Sequence, residues 1–173
     1  MLIVVSGGPG SGKTTLAHAL ARALGCPAVS RDEVKEGLRH AGTRTPAPDE
    51  RVRTAFFGVL EVLVDAGVSA VAEAAYQDRL WRSGLEPLAG RTELRVVHCR
   101  VEPALARRRI AERLAADPHR AAHADRALLA APPGPGNLLD DFTPLSLDVP
   151  RLRVDTGHGY DPPLAAVVAF TRA

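Results

Sequence analysis

Hydrophobic residues along this chain fall into two alternating rhythms. Residues 2–5, Leu2-Ile3-Val4-Val5, form an unbroken apolar run too short for a buried helix, and they predict a strand covered on both faces. From 13 to 24 the period changes. Leu16, Leu20 and Leu24 recur every fourth residue with alanines between them, which predicts a helix closed by Gly25. A second short strand is expected at 27–30, then a polar helix over 31–40 and a loop rich in Gly, Thr and Pro over 42–48. Residues 49–66 read as a helix with an acidic first turn, an apolar face of Val52, Phe56, Val59 and Leu63, and Gly67 as its stop. Strands at 68–72 and 94–99 flank a helix at 78–88. Pro103 opens a further helix, where its missing N–H costs nothing, with a buried stripe expected at Ala106, Ile110 and Leu114. The stretch "APPGPGN" at 131–137 is a loop, 152–155 a fifth strand and 162–171 a last helix. Strands separated by helices predict a parallel sheet covered on both sides.

Composition narrows the class. A chain of 173 residues has room for one domain with a real core. Hydrophobic residues at 46% and charged ones at 24% exclude intrinsic disorder. No apolar run approaches a membrane span and the first residues lack a signal pattern, so a cytoplasmic location with no membrane partner is expected. Cys26 and Cys99 are too few for a disulfide framework, match no metal spacing, and read as small buried hydrophobes. A net charge of +2 gives no strong field toward nucleic acid. All basic residues but Lys13 and Lys35 are arginine. The position of Lys13 is therefore informative, because a compact ammonium does what a forked guanidinium cannot.

Lys13 lies in Gly7-Gly8-Pro9-Gly10-Ser11-Gly12-Lys13-Thr14, which fits the phosphate-binding pattern G-x-x-x-x-G-K-[ST], with an apolar strand before it and an amphipathic helix after. Glycines let successive backbone N–H groups converge on an anion, and the helix N-terminus adds its positive end. Gly8, Gly10, Ser11 and Gly12 are thus candidate phosphate contacts. Lys13 would reach the β- and γ-phosphates, Thr14 would ligate Mg²⁺, and Thr15 would bond the α-phosphate. The residues are spent on their main-chain amides, and the ligand they fit is a nucleoside triphosphate. A GTP-dependent switch is excluded, because neither lysine lies in an Asn/Thr-Lys-x-Asp base-reading motif.

Four further stretches follow in order: Ser30-Arg31-Asp32-Glu33-Val34-Lys35 after the second strand, Glu73 at the end of the third, Arg109 and Arg113 four apart after Pro103, and "VDTGHGYDPPL" at 154–164. Together with the phosphate loop they resemble the small P-loop kinases: polynucleotide 5′-hydroxyl kinases, chloramphenicol phosphotransferase-like and zeta-toxin-like kinases, and the bacterial P-loop kinase-like "AAA family ATPase" proteins. The resemblance implies that Asp32 accepts the proton of an attacking hydroxyl, a role that competes with a helix N-cap for the same residue. It implies a substrate contact at Lys35, an acidic group facing magnesium at Glu73, and lid arginines at Arg109 and Arg113, with Arg107, Arg108 and Arg120 as rivals. It also implies an adenine contact at Thr156 and Gly157. His119 and His123 fall in the lid and read as exposed polar residues. Ala74-Ala75 stand where polynucleotide kinases carry Thr-Asn, which argues against a nucleic-acid acceptor.

The expectation is therefore a single P-loop α/β domain over 1–173, sheet order 2-3-1-4-5, with a lid at about 107–137. It would move the γ-phosphate of ATP, with Mg²⁺, to a hydroxyl of a small molecule in a pocket that includes Arg39, Tyr76, Gln77 and Trp81. A polynucleotide or nucleotide kinase, an ATP-binding regulatory module and a simple ATPase are the alternatives. Acceptor identity and oligomeric state are not legible.

Overall fold

The computed structural model describes residues 1–40, 49–116, 122–132, 134, 137, 139–140 and 142–173. Five strands, β1 (Leu2–Gly7), β2 (Ala28–Ser30), β3 (Ala70–Glu73), β4 (Leu94–Arg100) and β5 (Arg151–Asp155), alternate with helices α1 (Lys13–Leu24), α2 (Arg31–His40), α3 (Asp49–Asp65), α4 (Asp78–Ala89), α5 (Pro103–Ala116), α6 (Ala122–Ala130) and α7 (Leu164–Arg172). All pairings are parallel, and the sheet order is β2-β3-β1-β4-β5, as expected. The expected loop at 42–48 lies outside the described residues.

Every residue of β1 is buried, and alternate side chains serve opposite faces. Ile3 and Val5 pack with Val71, Val97 and Val154 against Leu16, Leu20 and Val167 of α1 and α7. Leu2 and Val4 pack with Ala72 and Val96 against Phe56, Leu60, Leu85 and Leu88 of α3 and α4, joined by Leu145 and Leu147 from the segment before β5. Gly25 stops α1 in the left-handed conformation (φ 69°), its N–H bonded back to the last turn.

Two expectations are corrected, and one helix was not expected. On α3 the buried stripe is Val52, Phe56 and Leu60, whereas Val59 is 42% exposed. Positions 52, 56 and 60 hold one face of a 3.6-residue helix, and 59 has rotated off it. On α5 Ala106 and Ile110 are buried, but Leu114 is only half-buried. The segment expected as a lid holds a separate helix, α6, where the alanine-rich sequence offers helix propensity but little periodicity. Its Leu128 and Leu129 pack on Ala106, Ile110 and Leu139.

Phe56 is fully buried against the rings of Trp81, at a centroid distance of 5.8 Å, and Tyr76, at 6.2 Å. Phe56→Ala is expected to cost roughly 3–5 kcal/mol. In urea unfolding it should lower the midpoint with little change in slope.

Candidate active site

The phosphate loop owes its shape to two glycines in left-handed backbone. Gly12 (φ 71°) hands the chain into α1, whose N-terminus has no side-chain cap, which leaves its first-turn N–H groups open to water or a bound anion. Gly10 (φ 74°) meets α5: a methyl group there would stand 2.6 Å from the carbonyl oxygen of Ala106. The Ser11 N–H bonds the Gly8 carbonyl at 3.2 Å, and the Ser11 hydroxyl is buried with no partner. Thr14 and Thr15 stand exposed on the first turn of α1. Left-handed glycines, an uncapped helix start and an open threonine fit the phosphate tail and magnesium of a nucleotide.

Beneath the loop sits Glu73, 1% exposed at the end of β3. Its Oε1 lies 3.7 Å from Lys13 Nζ, and its Oε2 accepts a 2.7 Å hydrogen bond from the hydroxyl of Ser30. Strand register dictates the meeting, since Glu73 pairs with Val5 on one side and Ser30 on the other. The Cys99 thiol, buried on β4, is pushed up to about 12 by desolvation, with Lys13 acting the other way and Glu73 adding to the rise. Sequence reasoning missed Ser30. The signal was available, because a lone hydroxyl residue closing a buried strand beside a buried carboxylate is a pairing candidate.

Asp32 falls in the first turn of α2, with its carboxylate 75% exposed and 3.3 Å from Arg31. The next residue, Glu33, bonds His18 on α1 at 3.0 Å, so the start of α2 is held beside α1. Arg31 and Lys35 share one oxygen of Asp49, at 2.7 and 3.4 Å. Desolvation raises the Asp49 pKa, but the Lys35 and Arg31 charges outweigh it and the net shift is downward. Arg39 bonds Glu36 within its own helix, and Gln77, half-buried, precedes α4. Tyr76 and Trp81, expected in the acceptor pocket, instead belong to the core: Tyr76 is 0% exposed and its ring lies 4.9 Å from that of Trp81. Burial, and then the nearby Glu73, raise the Tyr76 phenol well above its ordinary range.

On the other flank Arg109 donates to the carbonyls of Thr156 (2.7 Å) and Gly157 (3.1 Å). Thr156 in turn donates its hydroxyl to the Ser11 carbonyl at 2.7 Å, tying the loop after β5 to the phosphate loop. A methyl group at Gly12 would lie 3.7 Å from Arg109 and 3.6 Å from Thr156. The structure thus brings Arg109, Thr156 and Gly157 to the phosphate loop. Arg113 is placed elsewhere: it grips the buried Asp125 of α6 with two bonds, at 2.7 and 3.0 Å, and ties α5 to α6. Of its rivals, Arg107 pairs with Asp140 and Arg108 with Glu112. His119, Arg120 and the side chain of His123 lie outside the described residues.

Residues 2–131 match the family model AAA_33, described as an AAA domain. An uncharacterized protein of Mycobacterium tuberculosis is 36% identical over 86 residues, which is 49% of this chain but only 15% of that protein. Among solved structures the chain is similar to a candidate kinase from Chloroflexus aurantiacus, at TM-score 0.79 and 25% identity, over 99% of this chain and 96% of that one. The APS kinase CysC of Mycobacterium tuberculosis, solved with AMPPNP and APS, has a TM-score of 0.68 at 18% identity and covers 99% of this chain and 97% of that one. The fold is that of the P-loop kinases.

Gly10→Ala is expected to destabilise the protein by more than the ~1–2 kcal/mol of left-handed strain alone, because the new methyl group meets the α5 backbone. Urea unfolding measures this. An unchanged midpoint would show that the loop does not seat against α5.

Proposed function

The chain belongs to the AAA_33 family, and from that premise we propose that it is an ATP-dependent phosphotransferase, moving the γ-phosphoryl group of ATP to a hydroxyl of a small molecule. The observation that supports this most is the convergence under the phosphate loop. Lys13 and Glu73 stand 3.7 Å apart there, Ser30 holds the carboxylate, and Asp32 follows two residues later on α2. The fold shared with a kinase solved with AMPPNP and APS supports an adenine nucleotide as donor.

In the proposed reaction the loop amides and Lys13 grip the phosphates, with Lys13 leaving Glu73 for the β- and γ-oxygens. Thr14 and Glu73 would hold Mg²⁺, which neutralises charge on the phosphoryl oxygens. Asp32 takes the proton of the acceptor hydroxyl as its oxygen bonds the γ-phosphorus and the bond to ADP breaks. Arg109, braced by two carbonyls beside the loop, screens charge developing on the transferred group. The wall for the acceptor comes from α2, with Lys35 and Arg39, and from the turn at Gln77. Arg113 acts as a strut within the lid.

A screen of sugars, nucleosides, aminoglycosides and 5′-hydroxyl oligonucleotides for acceptor-dependent ADP release tests the reading. With an acceptor in hand, Asp32→Asn is expected to lower turnover by about 10²–10⁴-fold with nucleotide affinity unchanged. Full turnover in that variant would remove the base. Transfer only to oligonucleotide ends would mark a polynucleotide kinase, ADP release indifferent to acceptor a simple ATPase, and binding without turnover a regulatory module.

A further inference from the structure

We propose that Ser30 is a positioning residue for the Glu73 carboxylate, fixing its orientation so that the metal-dependent part of nucleotide binding can form. The inference rests on the phosphotransferase reading above and concerns a residue outside the phosphate loop and outside the base-bearing turn. Ser30 is 3% exposed, ends β2, and sits in direct register with Glu73 on β3. Its hydroxyl donates to Oε2 at 2.7 Å, a well-formed hydrogen bond to a carboxylate oxygen. The opposite oxygen, Oε1, faces Lys13 at 3.7 Å.

These two contacts differ in what happens when phosphates arrive. Lys13 is a flexible ammonium on α1, free to exchange one anion for another. The Ser30 contact joins two neighbouring strands of the sheet and has no reason to break. Once Lys13 turns to the phosphates, Glu73 is left with one oxygen pinned and one aimed at the loop, in a site too buried for water to reorient it. Among the described residues Ser30 supplies the one side-chain hydrogen bond that the carboxylate accepts, and the buried Tyr76 hydroxyl, held in the aromatic cluster, bonds neither of its oxygens. Without the serine hydroxyl the carboxylate loses the contact that decides which way Oε1 points. Lys13 and the loop amides stay in place, and they are what grips phosphate when metal is absent.

The test is ADP affinity by calorimetry, with Mg²⁺ and with EDTA, on wild type, Ser30→Ala and Ser30→Thr, with thermal unfolding of the free proteins as the folding control. Wild type is expected to bind ADP more tightly with Mg²⁺. Ser30→Ala should keep the EDTA affinity and lose about tenfold of the Mg²⁺-dependent gain, as expected for a hydrogen bond to a charged group. Ser30→Thr, which keeps the hydroxyl, should restore it. If Ser30→Ala keeps the full gain, or weakens ADP equally in both conditions, or if Ser30→Thr fails to restore the gain, the positioning role is overturned while the phosphotransferase reading stands. A wild-type protein with no affinity for ADP in either condition would sink that reading and this inference together.

Discussion

Glu73 is a carboxylate at 1% exposure, and a buried carboxylate must have both oxygens answered from within the protein or be very costly. The two answers come from different parts of the chain, Lys13 from the first turn of α1 and Ser30 from the end of β2. They can meet only if β2, β3 and β1 lie side by side in parallel with their C-terminal ends level, and this is the register found. The sheet order β2-β3-β1 is thus bound up with a single buried charge. A one-residue slip of β3 would turn Glu73 to the other face and bury it without partners, so the same contact that prepares the site also penalises the wrong register.

Much of this was legible because it is written in local patterns. The apolar run of β1, the four-residue leucine spacing of α1 and the glycine that stops it are each decided within a dozen residues. The helix at Lys13–Leu24 appears where the spacing puts it. The loop between was legible for a different reason: its left-handed turns admit little besides glycine, so the backbone requirement is visible as composition. Legibility failed where the deciding contact was distant. Tyr76 follows a strand end, a place where substrate contacts are plausible, yet Phe56 from α3 and Trp81 from α4 close around it. Ser30 reads as an unremarkable polar residue until the neighbouring strand presents a carboxylate to it.

The arginines show the same division in sharper form. An arginine-rich stretch on α5 gives many side chains of one chemistry, and spacing alone places Arg109 and Arg113 on a shared edge. What separates them is the partner each meets. Asp125 on α6, a helix that sequence periodicity did not reveal, captures Arg113 in a two-pronged bond, and Asp140 takes Arg107. Among the described residues Arg109 finds only carbonyls, which orient a guanidinium without neutralising it. A charge that is aimed but not cancelled is what a site handling phosphates requires, and it arises by the removal of competitors as much as by the placement of Arg109.

The side proposed for the acceptor is built on the opposite principle. None of the side chains of α2 is fully buried, and apart from Val34, which packs on the core, its ten residues are mostly polar. What holds it is a set of surface contacts: Glu33 to His18, and Arg31 and Lys35 to the first residue of α3. Such contacts are individually worth little and can be exchanged without disturbing the core. The phosphate side, by contrast, is tied into the sheet through Glu73 and Thr156, where a change of residue leaves a buried polar group unpaired. A fold divided this way can keep one half of its chemistry fixed while the other half changes its polar residues freely. The nucleotide end is therefore readable from general physical rules, and the proposed acceptor end is less so, because its polar side chains are held by exchangeable surface contacts.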